Sequence, residues 1–134
     1  MKNLNKLRLP KSLPRILAEE SMWEEDTYAP FHVSIHDHTG EVLYEVYLAP
    51  TNEPELLELN AELAQAGFEV NGYGWEKAIR ALLAKKAPHF NEQVQSDSDT
   101  EACVLYTTTE ADFRQLLDLL WELVENPQEI KTLS

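Results

Sequence analysis

The residues of this chain best suited to chemistry lie in the run HVSIHDH, where His32, His36 and His38 flank Asp37. Imidazoles and a carboxylate at such close spacing are the side chains that bind a divalent metal. The run alternates as a strand does, so His32 and His36 share one side. Strand residues four apart are roughly 13 Å from each other, too far to hold one ion, and a metal centre would need His36 and His38 to meet in the turn. No second group with metal-ligand spacing occurs along the chain. The run is therefore read as the polar face of a hairpin, with no metal assigned.

Nucleophiles fare no better. Cys103 falls in the apolar run ACVLYT, where a cysteine behaves as a small core residue, and no Gly-x-Ser-x-Gly elbow is present. The stretch AGFEVNGYGWEK alternates Gly67, Gly72 and Gly74 with Phe68, Tyr73 and Trp75. It lacks the spacing of a phosphate-binding loop, and Glu69 and Glu76 would repel a phosphate. Gly67 is placed as a helix C-cap, Asn71-Gly72 as a turn, and Gly74 as the entry to the next helix. Phe68 and Trp75 are expected to fill the core, leaving Asn71 and Tyr73 outside. Glu41 and Glu45, on the outward side of the second strand, are the carboxylates placed to flank a cleft. These readings assign no catalytic residue and no cofactor, and they point away from an enzyme.

Charge narrows the partner. The formal net charge is −13, from 24 acidic and 11 basic residues. Lys2, Lys6, Arg8, Lys11 and Arg15 lie in the first 15 residues without an acid, leaving 6 basic residues against all 24 acidic ones, or −18, in the rest. Such a body repels nucleic acid and anionic membrane and draws in basic partners. Two clusters stand out: Glu24, Glu25 and Asp26 beside Trp23, and Asp97, Asp99 and Glu101 in the segment SDSDTE. No apolar run approaches the roughly 20 residues of a membrane span. The basic start is broken by Pro10 and Pro14, unlike a signal peptide. One cysteine suits a reducing compartment, so a cytoplasmic location is expected.

The elements that must position these groups follow from periodicity and caps. Residues 1–30 read as a partly ordered extension, with a short helix opening at Ser12 and Pro14, and residues 31–134 as a single domain. FHVSIH and EVLYEVYLA alternate around DHTG and form a hairpin. A helix with Leu56, Leu59 and Leu63 follows, then one with Trp75, Ala78, Ile79 and Leu82 that closes at Pro88. Residues 90–96 and 102–107 make a second hairpin, and Thr109 caps a final helix carrying Phe113, Leu116, Leu117 and Leu120. The order ββααββα predicts an α+β fold, a mainly antiparallel sheet of two hairpins with helices packed on it.

The signature Gly-Phe-Glu-x-Asn-Gly-Tyr-x-Trp at residues 67–75, set between two helices, resembles the immunity protein 51 family of bacterial polymorphic toxin systems. The likeness runs from about Phe31 to Leu133 through the first hairpin, the helix pair, the acidic-tipped second hairpin and the last helix. It implies a small protein that binds and neutralises a cognate toxin. It brings no contact residues with it. Charge suggests those: a basic toxin domain, such as a nuclease, meeting Trp23, Glu24, Glu25, Asp26, Asp97, Asp99, Glu101 and Tyr73. Two other readings fit the composition. One is an acidic nucleic-acid mimic that inhibits a DNA-binding protein. The other is a small metal- or metabolite-dependent enzyme, which requires a pocket where His36, Glu45 and Tyr73 converge.

Overall fold

The structure, a computed structural model, describes residues 7–133. In chain order it contains α1 (Leu13–Glu20), β1 (Met22–Glu25), β2 (His32–His38), β3 (Glu41–Leu48), α2 (Leu57–Gln65), α3 (Gly72–Lys86), α4 (Pro88–Asn91), β4 (Gln95–Ser96), β5 (Cys103–Thr107) and α5 (Glu110–Glu125), with 3-10 turns before α2 and after α5. The strands form one antiparallel sheet in the order β1-β2-β3-β5-β4. This is the expected α+β class.

Period-two alternation builds the sheet's centre. Val33 pairs with Val46 and Val46 with Leu105, and all three are buried. The β2–β3 connection is a two-residue turn with φ of 52° at Thr39 and 90° at Gly40, the mirror-image geometry whose twist suits a hairpin. Asp37 Oδ1 accepts the Gly40 N–H at 3.0 Å, tying off the turn. Leu59 and Leu63 of α2, Ile79, Leu82 and Leu83 of α3, and Phe113, Leu116, Leu117, Leu120 and Leu123 of α5 complete the core. Burying each such side chain contributes about 1.5–3 kcal/mol before entropy is counted. Thr109 accepts the Asp112 N–H at 3.1 Å and caps α5 as its position predicts.

Two segments depart from the sequence expectation. Residues 7–30, read as a partly ordered extension, contain the expected short helix as α1 but also supply the edge strand β1 and the buried side chains Leu7, Leu17 and Tyr28. Registers from Met22↔His36 to Glu25↔Val33 seat β1 on β2, whose backbone groups would otherwise form an open edge. Lys2 and Lys6 of the basic start lie outside the described residues. The second hairpin is also shorter than expected. Pro88 does not simply end α3; it opens α4 at the position proline tolerates best. This short helix turns Phe90 inward, and pairing with β5 begins only at Gln95.

The glycine run has a different logic from a chain reversal. Asn71 is the N-cap of α3, its side chain accepting the Gly74 N–H at 2.8 Å, and Gly72 already lies inside the helix. A Cβ on Gly72 would stand 2.0 Å from the Asp99 carbonyl oxygen, and one on Gly74 would stand 1.7 Å from that of Glu69. Both glycines are needed for close backbone approach. Trp75 fills the core, as expected, and its Nε1 donates to Asn60 Oδ1 at 2.8 Å.

Candidate interaction surface

Because side chains alternate across a strand, the face opposite the helix-packed side is set by register. One row crosses the whole sheet: Glu24 on β1, Ser34 on β2, Glu45 on β3, Tyr106 on β5 and Gln95 on β4. Met22, His36 and Leu43 flank it on one side, and His32, Tyr47 and Val104 on the other. Met22 is 39 % exposed, whereas Ser34 is buried beneath its polar neighbours. The result is a face of mixed aromatic, aliphatic and acidic side chains.

At its centre Ser34, His36 and Glu45 meet. The Ser34 hydroxyl donates to Glu45 Oε2 at 2.7 Å, and His36 Nε2 lies 2.9 Å from Ser34 Oγ and 3.1 Å from Glu45 Oε2. With the hydroxyl proton given to the carboxylate, Nε2 carries its own proton and donates to both oxygens. A serine nucleophile needs the reverse: one ring nitrogen free to take its proton and the carboxylate on the other. The trio is a satisfied polar network and does not activate Ser34. Beside it His36, Leu43, Glu45, Asp97 and Tyr106 line a cavity of about 170 Å³. Tyr73 stands apart on the first turn of α3, so His36, Glu45 and Tyr73 do not share that cavity.

His32 fastens one end of the face. Its Nδ1 donates to Asp26 Oδ1 at 3.1 Å and its Nε2 to Glu53 Oε1 at 2.9 Å, while the ring stacks on Tyr47 at 4.8 Å. Burial disfavours the charged ring, but the hydrogen bonds to Glu53 and Asp26 outweigh it and raise the pKa above the ordinary 6.5. The clasp ties the chain just after β1 to the segment leading into α2. Cys103 is sealed in the core, where burial pushes its thiol up to about 12. Among the described residues no group of three or more His, Cys, Asp or Glu side chains is arranged to hold a metal ion.

The fold divides the residues singled out from the sequence. Glu24 faces outward on the open side, but Trp23 pairs with Ile35 and packs half-buried against the core on the other side. Glu25 shares Trp23's side and accepts the Thr27 N–H, and Asp26 is held by His32. In the second cluster Asp97 lies on the open face and lines the cavity. Asp99 turns inward on its own loop, Oδ1 accepting the N–H groups of Glu101 and Ala102 at 2.9 and 2.8 Å. Glu101 and Tyr73 are exposed on adjoining segments, joined where the Gly72 N–H donates to the Thr100 carbonyl. Sequence reasoning missed Tyr106, although its alternation with the buried Cys103, Leu105 and Thr107 places it on the outward side.

A model of the protein family described as Immunity protein 51 matches residues 38–133 of the chain. No curated protein and no solved structure matches it.

Proposed function

This chain belongs to the immunity protein 51 family, and from that premise we propose that it neutralises a cognate bacterial toxin by binding it directly. The family match carries this reading, and two features support a particular mode. The first is the acidity, a formal −13 for the chain. The second is a sheet face that presents Glu24, Glu45 and Asp97 among aromatic and aliphatic side chains.

The partner in this reading is a basic toxin domain, of which a nuclease is the best-fitting kind, because its cleft is built to receive phosphates. Carboxylates take the place of those phosphates, and long-range attraction speeds capture before damage is done. Glu24 and Asp97 make the principal contacts on the open face, with Glu101 and Tyr73 at its margin. Trp23, Glu25, Asp26 and Asp99 hold the shape of the two acidic segments. Binding requires no cofactor and takes place in the cytoplasm. Among the described residues no helix is long and apolar enough to cross a membrane.

The test is a tagged pull-down from the source bacterium with mass spectrometry of what co-elutes. One basic toxin domain retained through a salt wash is the expected result; several unrelated DNA-binding proteins released together by salt would point to a nucleic-acid mimic instead. With the toxin in hand, the double reversal Asp97→Lys and Glu101→Lys should slow association at low salt by roughly tenfold and flatten its salt dependence. An unchanged on-rate removes these positions from the interface.

A further inference from the structure

We propose that the cavity lined by His36, Leu43, Glu45, Asp97 and Tyr106 is a socket for an arginine side chain of the protein partner. Its size argues for a side chain. At about 170 Å³ it far exceeds the roughly 10–15 Å³ that one water needs. It falls short of the roughly 300–1,000 Å³ usual for small-molecule sites. Its walls supply what a guanidinium uses: carboxylates for charge and in-plane hydrogen bonds, and an aromatic ring and a leucine for the flat faces and the methylene stem.

Glu45 is held ready for this task. Its Oε2 is anchored from beneath by Ser34 and from the cavity wall by His36, and its Oε1 has no hydrogen-bond partner among the described residues. Ser34 is 3 % exposed, so the anchor lies below the surface and costs the partner nothing to form. Asp97 approaches from β4's end, where its N–H donates to the Val104 carbonyl at 3.0 Å. That bond extends the sheet ladder by one residue and fixes the carboxylate's origin. The two acids thus come from strands separated by β5, with Tyr106 of β5 between them. A preformed geometry of this kind reduces the ordering cost of binding.

The occupant is taken from the reading above, a basic toxin, and the net charge of −13 favours an arginine over any anionic or neutral group. Lysine would satisfy the charge but not the flat walls.

The experiment needs no toxin. The intact protein, labelled with ¹⁵N, is titrated with Nα-acetyl-arginine amide and, separately, with the neutral isostere Nα-acetyl-citrulline amide. Saturable millimolar shifts at the amides of Asp97, Val104 and Tyr106 are expected with arginine alone. Glu45→Gln and Asp97→Asn should each weaken the apparent affinity by roughly three- to tenfold, with amide dispersion elsewhere unchanged as the check that they fold. Equal shifts with citrulline, or arginine shifts that survive both substitutions, would overturn the proposal. Either of those results leaves toxin capture in the pull-down unaffected, so the socket and the immunity reading fail separately.

Discussion

On the helix-packed side of the sheet, Val33, Val46 and Leu105 line up across β2, β3 and β5 and are almost wholly excluded from solvent. One residue further along the same strands, Ser34, Glu45 and Tyr106 line up on the opposite side, and there charge, hydroxyl and aromatic ring meet at a cavity. Backbone pairing is common to the two rows; their surroundings are not. The covered row can contribute only by excluding water, since it touches nothing that comes from outside. The open row contributes little apolar burial and is free to carry recognition. On the proposed reading, stability and binding are therefore separable in this protein, one residue apart.

Neighbouring substitutions test that separation most severely. Leu105→Ala should lower the unfolding free energy by about 2–5 kcal/mol, the range for a buried leucine that leaves a cavity. Tyr106→Ala, next in the chain, should cost under about 1 kcal/mol by urea denaturation while weakening the apparent arginine affinity by roughly three- to fivefold. Comparable stability losses from both would break the distinction between the faces. On the covered side, Gly74→Ala should destabilise by about 1–3 kcal/mol, because the added methyl must displace the Glu69 carbonyl at the entry to α3. A neutral result would mean that α3 can shift there without loss.

The smallest effect concerns the fastener of the open face. The folded-state pKa of His32 is raised above 6.5, so the charged clasp with Asp26 and Glu53 stabilises fully at pH values below 6.5. That contribution is lost as pH rises through the folded value. The wild type should show a falling urea midpoint relative to His32→Gln as pH rises above 6.5, and the difference should narrow as pH passes through the folded value. Parallel profiles would show that the clasp contributes nothing measurable, as many partly exposed ion pairs do.

Much of the fold is legible in local pattern. The β2–β3 hairpin follows from strict alternation about a two-residue turn, and α2, α3 and α5 from apolar stripes with a cap at Thr109. The cap at Asn71 is not legible, since Asn71-Gly72 reads locally as a turn. β1 is not legible. MWEE offers four residues with little contrast between its sides, and it becomes a strand because the edge of β2 stands available. The site is half legible. Strand parity puts His36 and Glu45 on the outward face, and the carboxylate at 45 does flank a cavity. Asp97 and Tyr106 join it only through the Glu45↔Tyr106 and Gln95↔Tyr106 registers. The first of those pairings spans the whole helical middle of the chain, and no local pattern encodes it. The second lies within the second hairpin, whose register the local pattern leaves open.

The acidic stretch Glu24–Asp26 shows the same division. Its charge is evident from composition, yet a strand sends successive side chains to opposite faces, so its members part company once β1 pairs. Period, the Thr109 cap and net charge were determined by the sequence alone, because each depends on a residue and its near neighbours, whereas Gly72 answers to the Asp99 carbonyl far along the chain. Which strands lie side by side, which carboxylates share a cavity and which are spent on internal bonds were decided by the tertiary structure. Those outcomes depend on burying one common core, and that requirement acts on the whole chain at once.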